Sequence, residues 1–205
     1  AQQIRRERLD GVDISKQGHL LGFGYFNSAV VLPILPSVDI GTQFLLTTHR
    51  DPIIDLKIAP HLGYVASASV DGDIRLSSIK SMKEFVHFDG HGNTPFSVEI
   101  SPEGKFILCG MLDNSTRLFT PTQAVPVRMF CGHTSPVVCS SFGSQEYFAT
   151  AGFDSFIRIW DIGTAKCLWK SQCENPTAVF YDPSLAELMV GSIDGTLQVF
   201  DIGSN

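Results

Sequence analysis

Short apolar segments separated by turn residues run along most of the chain. Residues 106–109 and 147–150 are two such segments, and each is followed a few positions later by a turn led by aspartate. Segments of this length and composition are typical of strands. Asp-Gly, Asp-Asn and Asp-Ser pairs favour tight turns, because these residues tolerate positive φ or cap their own backbone. No stretch sustains a helical period, so the pattern predicts an all-β chain of antiparallel strands.

The strand-and-turn pattern is repeated along the chain. Four copies share a turn that begins with an aspartate: Asp71, Asp113, Asp154 and Asp194. These aspartates are 42, 41 and 40 residues apart. A fifth copy lies upstream, where residues 12–18 align without a gap to residues 98–104 and place Asn27 opposite the second aspartate. A sheet of three or four short strands cannot bury both faces alone, so stacking of neighbouring units around an axis is expected.

Composition and net charge restrict the classes of protein to which the chain can belong. The 205 residues are 43% hydrophobic and 18% charged, which supplies a core and argues against a disordered chain. The formal net charge of -6 argues against broad nucleic-acid binding, though it allows local basic contacts. No apolar run approaches the roughly 18 residues of a membrane helix, so no membrane insertion is expected.

The cysteines point to an intracellular protein. Five cysteines stand at irregular spacing, with no CxxC pair. An odd number without such spacing fits neither a secreted disulfide framework nor a zinc site. We therefore expect free, mostly buried thiols, a cytoplasmic or nuclear location, and neither a metal site nor a cofactor.

One copy carries a recognisable signature. Gly132-His133 stands 21 residues before Asp154, counted from the histidine, and Trp160-Asp161 closes the following strand. This spacing resembles a WD40 repeat. The resemblance extends over nearly the whole chain and implies a β-propeller with about five blades over residues 1–205. The implied blades are 11–47, 48–89, 90–131, 132–174 and 175–205.

The resemblance also implies a buried hydrogen-bonded tetrad in the fourth unit, formed by His133, Thr150, Asp154 and Trp160. Such groups must satisfy one another, because a buried carboxylate, imidazole or indole N–H without a partner is costly. The second unit has the same residue types at His49, Ser67 and Asp71, but lacks the tryptophan. The third keeps His91 and Asp113, and the last has Cys173 in place of histidine.

A catalytic interpretation of this tetrad is possible but disfavoured. Thr150, His133 and Asp154 resemble a hydroxyl, base and acid trio. Partial copies recur at repeat-equivalent positions, however, and a packing device explains recurrence whereas a catalytic site does not. No nucleophile elbow, phosphate loop or metalloprotease motif is present. The sequence therefore predicts a protein that is not an enzyme.

The number of units raises a question about the ring. WD40 propellers mostly have seven blades, whereas the five copies account for this entire chain. Five sevenths of a ring would leave two sheet faces unpaired, which promotes aggregation. We expect the chain to be the C-terminal part of a larger, seven-bladed ring, and a compact five-bladed ring is the alternative.

The family's usual docking face indicates candidate partner-binding residues. In WD40 rings, partners commonly dock where the first strand of each blade begins and just before the turn aspartate. Carried over copy by copy, these positions are nearly all apolar. The predicted residues are Ile54, Val70, Phe96, Leu112, Pro136, Val138, Phe153 and Ile193. They either pack into neighbouring blades or form one apolar patch for a protein or peptide partner.

These observations together predict a non-enzymatic interaction scaffold that is a subunit or adaptor of a multiprotein complex. One alternative is a subunit of a ribonucleoprotein, related to RNA processing or the ribosome, with local RNA contacts. A second is an enzyme with a site in the central pocket. That site would need polar or metal-binding residues on the innermost strands, where Asp55 and Glu99 are the acidic exceptions among apolar side chains.

Overall fold

The computed structural model describes residues 9–14, 20–33, 44–89 and 92–203. Within these ranges the secondary structure consists of nineteen β-strands arranged in five antiparallel sheets, without a helix. A helix with the length and hydropathy of a membrane span does not occur in the part of the chain that is described. The all-β prediction is therefore confirmed.

The strands follow one another in chain order through the five sheets. Sheet 1 contains β1 (Leu9–Ile14), β2 (Leu20–Tyr25), β3 (Ser28–Pro33) and β4 (Phe44–Thr48). Sheet 2 contains β5 (Ile53–Ala59), β6 (Tyr64–Ser69), β7 (Ile74–Ser78) and β8 (Lys83–Phe88). Sheet 3 contains β9 (Pro95–Ile100), β10 (Ile107–Met111), β11 (Thr116–Thr120) and β12 (Gln123–Phe130). Sheet 4 contains β13 (Val137–Phe142), β14 (Tyr147–Gly152), β15 (Phe156–Asp161) and β16 (Cys167–Gln172). Sheet 5 contains β17 (Pro176–Asp182), β18 (Glu187–Ser192) and β19 (Leu197–Asp201).

Each sheet is a meander in which every strand pairs with the next strand in the chain. The first strand of each sheet lies innermost: β1 packs beside β5, β5 beside β9, β9 beside β13, and β13 beside β17. Residues from all five inner strands line one central cavity. This radial arrangement confirms a β-propeller with about five blades in this chain, and the larger, seven-bladed ring stays a prediction.

The core lies between successive sheets. Ile74 and Leu76 of β7 are fully buried in a cluster with Val98 and Ile107 of sheet 3. Comparable clusters join sheets 3 and 4 and sheets 4 and 5. Because both faces of an interior sheet are covered by its neighbours, strands such as β6 and β10 are buried at every position.

The aspartate-led turns take a common backbone conformation. The residue after the aspartate has positive φ in sheets 2 to 5, at Gly72, Asn114, Ser155 and Gly195. In sheet 1 the turn is shorter, and Phe26 takes the positive φ instead. Glycine and asparagine adopt this region at low cost, which explains the residue types at the turns.

Side chains of the inner strands form hydrogen bonds to the backbone of the neighbouring sheet. Asp13 Oδ2 accepts a hydrogen bond from the backbone N–H of Ile58 at 2.8 Å. Asp55 Oδ2 accepts one from Val98 N–H at 2.9 Å. Ser141 Oγ accepts one from Tyr181 N–H at 3.2 Å. Polar atoms near the axis are thus used to join neighbouring sheets.

Candidate functional site

The structure brings the four predicted tetrad side chains together in sheet 4. Trp160 Nε1–H donates to Thr150 Oγ1 at 2.8 Å, and Thr150 Oγ1 lies 2.8 Å from His133 Nε2. His133 Nδ1 lies 2.9 Å from Asp154 Oδ1. Strands β14 and β15 position the threonine and the tryptophan, while the histidine precedes β13 and the aspartate leads the turn. The result is a continuous chain of hydrogen bonds from the middle of the sheet to its turn.

Burial and hydrogen bonding set the charge states in this network. Burial lowers the pKa of His133 below its usual value, although the hydrogen bond to Asp154 opposes the shift. Burial acts to raise the pKa of Asp154, but hydrogen bonds from His133 and from the Thr134 N–H outweigh it, so the pKa lies below its usual value. A neutral imidazole therefore donates from Nδ1 to an ionised carboxylate and accepts from the threonine hydroxyl.

Arg158 adds a fifth member that the sequence analysis did not place. Its Nη1 donates to Asp154 Oδ2 at 3.1 Å, and its Nη2 donates to the Gly132 carbonyl at 2.7 Å. The arginines at the equivalent slot also bind aspartates of their own turns: Arg117 binds Asp113 at 2.7 Å, and Arg75 binds Asp73 at 3.3 Å. At this position each arginine therefore stabilises the turn of its own sheet.

Sheet 2 contains a shorter version of the network. His49 Nδ1 lies 3.2 Å from Asp71 Oδ2, and His49 Nε2 lies 2.9 Å from Ser67 Oγ. Ser77 occupies the position of the tryptophan and is buried, and its hydroxyl has no hydrogen-bond partner among the described residues. Without an indole donor the chain of hydrogen bonds stops at Ser67.

The third and fifth copies differ more strongly from the tetrad of sheet 4. In sheet 3, His91 lies outside the described residues, while buried Cys109 and Phe119 occupy the hydroxyl and indole positions. In sheet 5, Asp194 accepts hydrogen bonds from the N–H and the hydroxyl of Thr196, which fixes its own turn. Cys173 Sγ lies 3.4 Å from Ser192 Oγ in place of a histidine contact.

The geometry leaves the threonine hydroxyl no access to a substrate. Thr150 is fully buried, and its oxygen already contacts both His133 and Trp160. A catalytic nucleophile must lie within hydrogen-bond distance of its general base and must also be open to the substrate. The arrangement therefore serves the fold of sheet 4.

The second candidate site is the end of the propeller where the inner strands begin, which we call the top face. At this end the backbone N–H of the pre-turn residue bonds to a carbonyl just before or at the start of the inner strand. Val70 N–H donates to Pro52 O and Phe153 N–H donates to Pro136 O, both at 2.9 Å. Leu112 bonds in the same way to Thr94, and Ile193 to Asn175. The bond ties the turn to the strand start and directs the pre-turn side chain outward.

The pre-turn side chains are exposed and the strand-start side chains are half-buried. Val70, Leu112, Phe153 and Ile193 project into solvent, and Ile193 is 76% exposed. Ile54, Phe96, Pro136 and Val138 are half-buried. Phe96 meets Phe153 edge to face with 6.1 Å between ring centres, so sheets 3 and 4 touch across the top face. Val138 also packs into the cluster between sheets 4 and 5.

Phe26 belongs to this set and was missed in the sequence analysis. It stands at the turn of sheet 1 and is 68% exposed. The alignment of Asn27 with the turn aspartates was the signal that could have found it. All five sheets therefore present a large apolar side chain at the same place on the top face.

The charges around the apolar positions are mainly acidic. Exposed Asp51 precedes β5, Asp89 follows β8, Glu174 follows β16, and Asp194 lies in the last turn. Exposed Arg50 is a basic residue beside them. A partner that suits this face combines apolar side chains with positive charge.

The central cavity opens at the opposite ends of the inner strands and has a volume of about 500 Å³. Lys57 Nζ lies 3.4 Å from Glu99 Oε2 in its wall, and Asp13 lines it as well. Burial, with nearby Asp55 adding to the effect, raises the pKa of Glu99 to about 7. In the described part of the chain, histidine, cysteine and carboxylate side chains do not gather in threes at a distance suited to a metal ion.

Comparison with known proteins agrees with this architecture. The family model of the WD domain, G-beta repeat, matches residues 41–76, 82–120 and 124–161, which together exceed half of the chain. Each match runs from the outer strand of one sheet to the third strand of the next. Sheet 5 and most of sheet 1 lie outside these matches, so the structure extends the repeat in both directions.

Several similar proteins are considerably longer than this chain. The chain is 26% identical to the Periodic tryptophan protein 2 homolog of Dictyostelium discoideum, covering 76% of this chain and 18% of that protein. It is 30% identical to WD repeat-containing protein 90 of Xenopus tropicalis, covering 92% of this chain and 11% of that protein. It is 22% identical to Small ribosomal subunit protein RACK1y of Oryza sativa subsp. japonica, covering 67% and 44%. The chain thus spans less than half of the length of each of these relatives.

The matched repeats, the radial order of the five sheets and the hydrogen-bonded network of sheet 4 all lead to one assignment: the chain is a member of the WD domain, G-beta repeat (WD40) family.

Proposed function

We propose that this protein is a non-enzymatic scaffold, a subunit or adaptor of a multiprotein complex, which binds protein or peptide partners on the apolar top face. The observation that carries the proposal is the exposed apolar side chain at the turn of every sheet. Monomeric proteins rarely expose contiguous apolar surface without a binding role. The predicted partner-binding residues are Ile54, Val70, Phe96, Leu112, Pro136, Val138, Phe153 and Ile193, to which Phe26 is added.

The same face specifies the chemistry of the partner. Aromatic and aliphatic side chains in the centre suit an apolar anchor, and the acidic residues around them suit lysine or arginine beside that anchor. A protein segment with alternating apolar and basic residues meets both needs. A location in the nucleus or the cytoplasm is consistent with the free thiols of Cys131 and Cys167.

Paired substitutions test the proposal. Phe153→Asp and Ile193→Asp place a carboxylate in the proposed face, and both side chains are exposed, so the fold is expected to survive. Val125→Asp is the matched control for Phe153→Asp, because Val125 is 59% exposed and Phe153 is 57% exposed, but Val125 lies on the outer strand β12. Proteins captured from cells with each variant are compared by quantitative mass spectrometry, and circular dichroism checks the fold.

We expect a common set of proteins to disappear with both top-face variants and to remain with Val125→Asp. The binding of a purified member of that set should weaken at least tenfold, since loss of a buried anchor commonly costs more than about 1.4 kcal/mol. Identical capture by all variants with an intact fold would contradict the proposal.

A ribonucleoprotein subunit is the second candidate, and two of the relatives favour it. One is the small ribosomal subunit protein of rice, and another is Pre-mRNA-processing factor 19 homolog 2 of Arabidopsis thaliana, 23% identical over 74% of this chain and 29% of that protein. Local RNA contacts would appear as RNA binding that weakens steeply with salt. Filter binding between 50 and 200 mM salt, with total RNA as the probe, separates the two candidates.

A further inference from the structure

The central cavity combines a charged wall with apolar surface. Its volume of about 500 Å³ falls within the range of about 300–1,000 Å³ that is usual for pockets holding small ligands. Asp13, Lys57 and Glu99 line it, and Ile100 and Phe142 are among its apolar residues. The cavity opens at the end of the propeller opposite to the top face, so a ligand bound there would not compete with a partner on the top face.

The charged residues come from three successive sheets and carry an excess of negative charge. Lys57 Nζ of sheet 2 lies 3.4 Å from Glu99 Oε2 of sheet 3. Asp13 of sheet 1 and Asp55 of sheet 2 also act on this ammonium group. Burial acts to lower the pKa of Lys57, but its three carboxylate neighbours outweigh it, so the pKa lies above its usual value. One ammonium group is thus shared by three carboxyl groups.

Two carboxylate oxygens of this wall have a free acceptor position. Asp13 Oδ2 accepts the Ile58 N–H, but Asp13 Oδ1 accepts no hydrogen bond from the described residues. Glu99 contacts Lys57 through Oε2, and its Oε1 likewise has no partner within the described ranges. Asp55 differs, because both of its oxygens accept backbone N–H groups. Since an ionised carboxylate can only accept, a ligand in the cavity must donate hydrogen bonds to the two free oxygens.

The uncharged polar side chains of the wall already have partners within the protein. His61 Nε2 lies 2.9 Å from the Pro102 carbonyl oxygen. Ser101 Oγ accepts a backbone N–H from the end of the following turn at 3.0 Å. Ser140 and Ser141 form hydrogen bonds to β9 and β17, respectively. The carboxylates are therefore the groups of the wall that select a ligand by charge.

We propose that the central cavity binds a ligand in which an ammonium or guanidinium group is joined to an apolar body. The cation donates charge-assisted hydrogen bonds to the free oxygens of Asp13 and Glu99, and such bonds are stronger than those between neutral groups. The apolar body packs against Ile100 and Phe142. An anionic ligand is disfavoured, because it would add to the negative excess of the wall. A small amine and the basic side chain of a peptide share this chemistry.

Binding of phenethylamine tests the proposal, with 2-phenylethanol as an uncharged probe of similar shape. Both are titrated by ligand-observed NMR at about pH 8, where the Glu99 carboxyl group is ionised. Glu99→Gln and Asp13→Asn each remove one charge and keep the shape of the side chain. Glu103→Gln is the matched control, because Glu103 is exposed in the turn after β9 and does not line the cavity. Circular dichroism checks the fold of each variant.

We expect phenethylamine to bind at least ~10-fold more tightly than 2-phenylethanol. Glu99→Gln and Asp13→Asn should each weaken the binding of phenethylamine by ~10-fold or more, while Glu103→Gln leaves it unchanged. A capped peptide with one lysine among glycines distinguishes the two sources of the cation: tighter binding than phenethylamine indicates a peptide side chain, and weaker binding indicates a small amine. Equal affinity for phenethylamine and 2-phenylethanol, or equal affinity of all folded variants for phenethylamine, would overturn the proposal.

Discussion

Replacing Thr150 by valine removes one hydroxyl from the centre of the sheet 4 network and changes the side-chain shape little. Thr150 is fully buried, and its oxygen is the hydrogen-bond partner of both Trp160 Nε1 and His133 Nε2. The valine variant leaves an indole N–H and an imidazole nitrogen buried without partners. Each such group costs about 1–3 kcal/mol, so the free energy of unfolding should fall by about 2–6 kcal/mol. For a chain of this size, that corresponds to a loss of about 4–24 °C in Tm.

Thr116→Val is a matched control within the same chain. Thr116 is also fully buried, but its hydroxyl has no hydrogen-bond partner among the described residues. Valine there removes an unsatisfied polar group, so the free energy of unfolding should change by less than about 1 kcal/mol or should rise. The same chemical change is therefore expected to have different effects at two buried positions.

Urea denaturation followed by circular dichroism measures both variants, together with Trp160→Phe and the double variant. In the Trp160→Phe background the indole N–H is absent, so Thr150→Val should cost about 1–2 kcal/mol less than in the wild type. Equal losses for Thr150→Val and Thr116→Val, or strict additivity with Trp160→Phe, would refute the view that the network stabilises sheet 4.

Two further substitutions test the interior. Glu99 binds its proton more tightly when folded, with a pKa of about 7 against 4.5 when unfolded, so its contribution to stability is complete below pH 4.5 and is lost as the pH rises to about 7. Urea unfolding at several pH values should therefore show that the free energy of unfolding of Glu99→Gln rises relative to that of the wild type, by up to about 3 kcal/mol, as the pH rises from 4.5 to about 7. A difference that does not change with pH would contradict this. In Gly143→Ala the new Cβ would overlap the Tyr181 ring, so urea unfolding should show a loss of about 1–3 kcal/mol. The loss should shrink in a Tyr181→Ala background, and an undiminished loss would contradict the overlap.

The tetrad could be predicted from the sequence because its members stand at fixed distances along one repeat. His133 and Trp160-Asp161 lie on either side of the turn aspartate at the family spacing, and strand pairing within a sheet converts that spacing into contact. The arginine brace was missed because it depends on side-chain direction: Arg158 reaches back four residues to Asp154 across the start of β15. A recurrent position in a strand does not reveal which way a long side chain turns.

Contacts between sheets could not be predicted, because they depend on the radial arrangement. Asp55 was recognised as an acidic exception on an inner strand, but its bond to Val98 N–H crosses to a sheet 43 residues away. Asp13 forms the same kind of bond to Ile58 and was not identified. Phe26 was missed for another reason, since the turn of sheet 1 has no leading aspartate and is shorter than the others.

Three hydrogen bonds that join a backbone N–H to an inner-strand side chain of the neighbouring sheet share one direction. Asp13, Asp55 and Ser141 each accept from a backbone N–H of the sheet that comes later in the chain. During synthesis the earlier sheet therefore exposes its oxygen before the matching N–H has left the ribosome. An oxygen that becomes buried without a hydrogen-bond partner costs free energy. Each completed sheet is therefore stabilised most by the sheet that is translated directly after it. This polarity favours vectorial assembly of the propeller, from the N-terminal repeat onward.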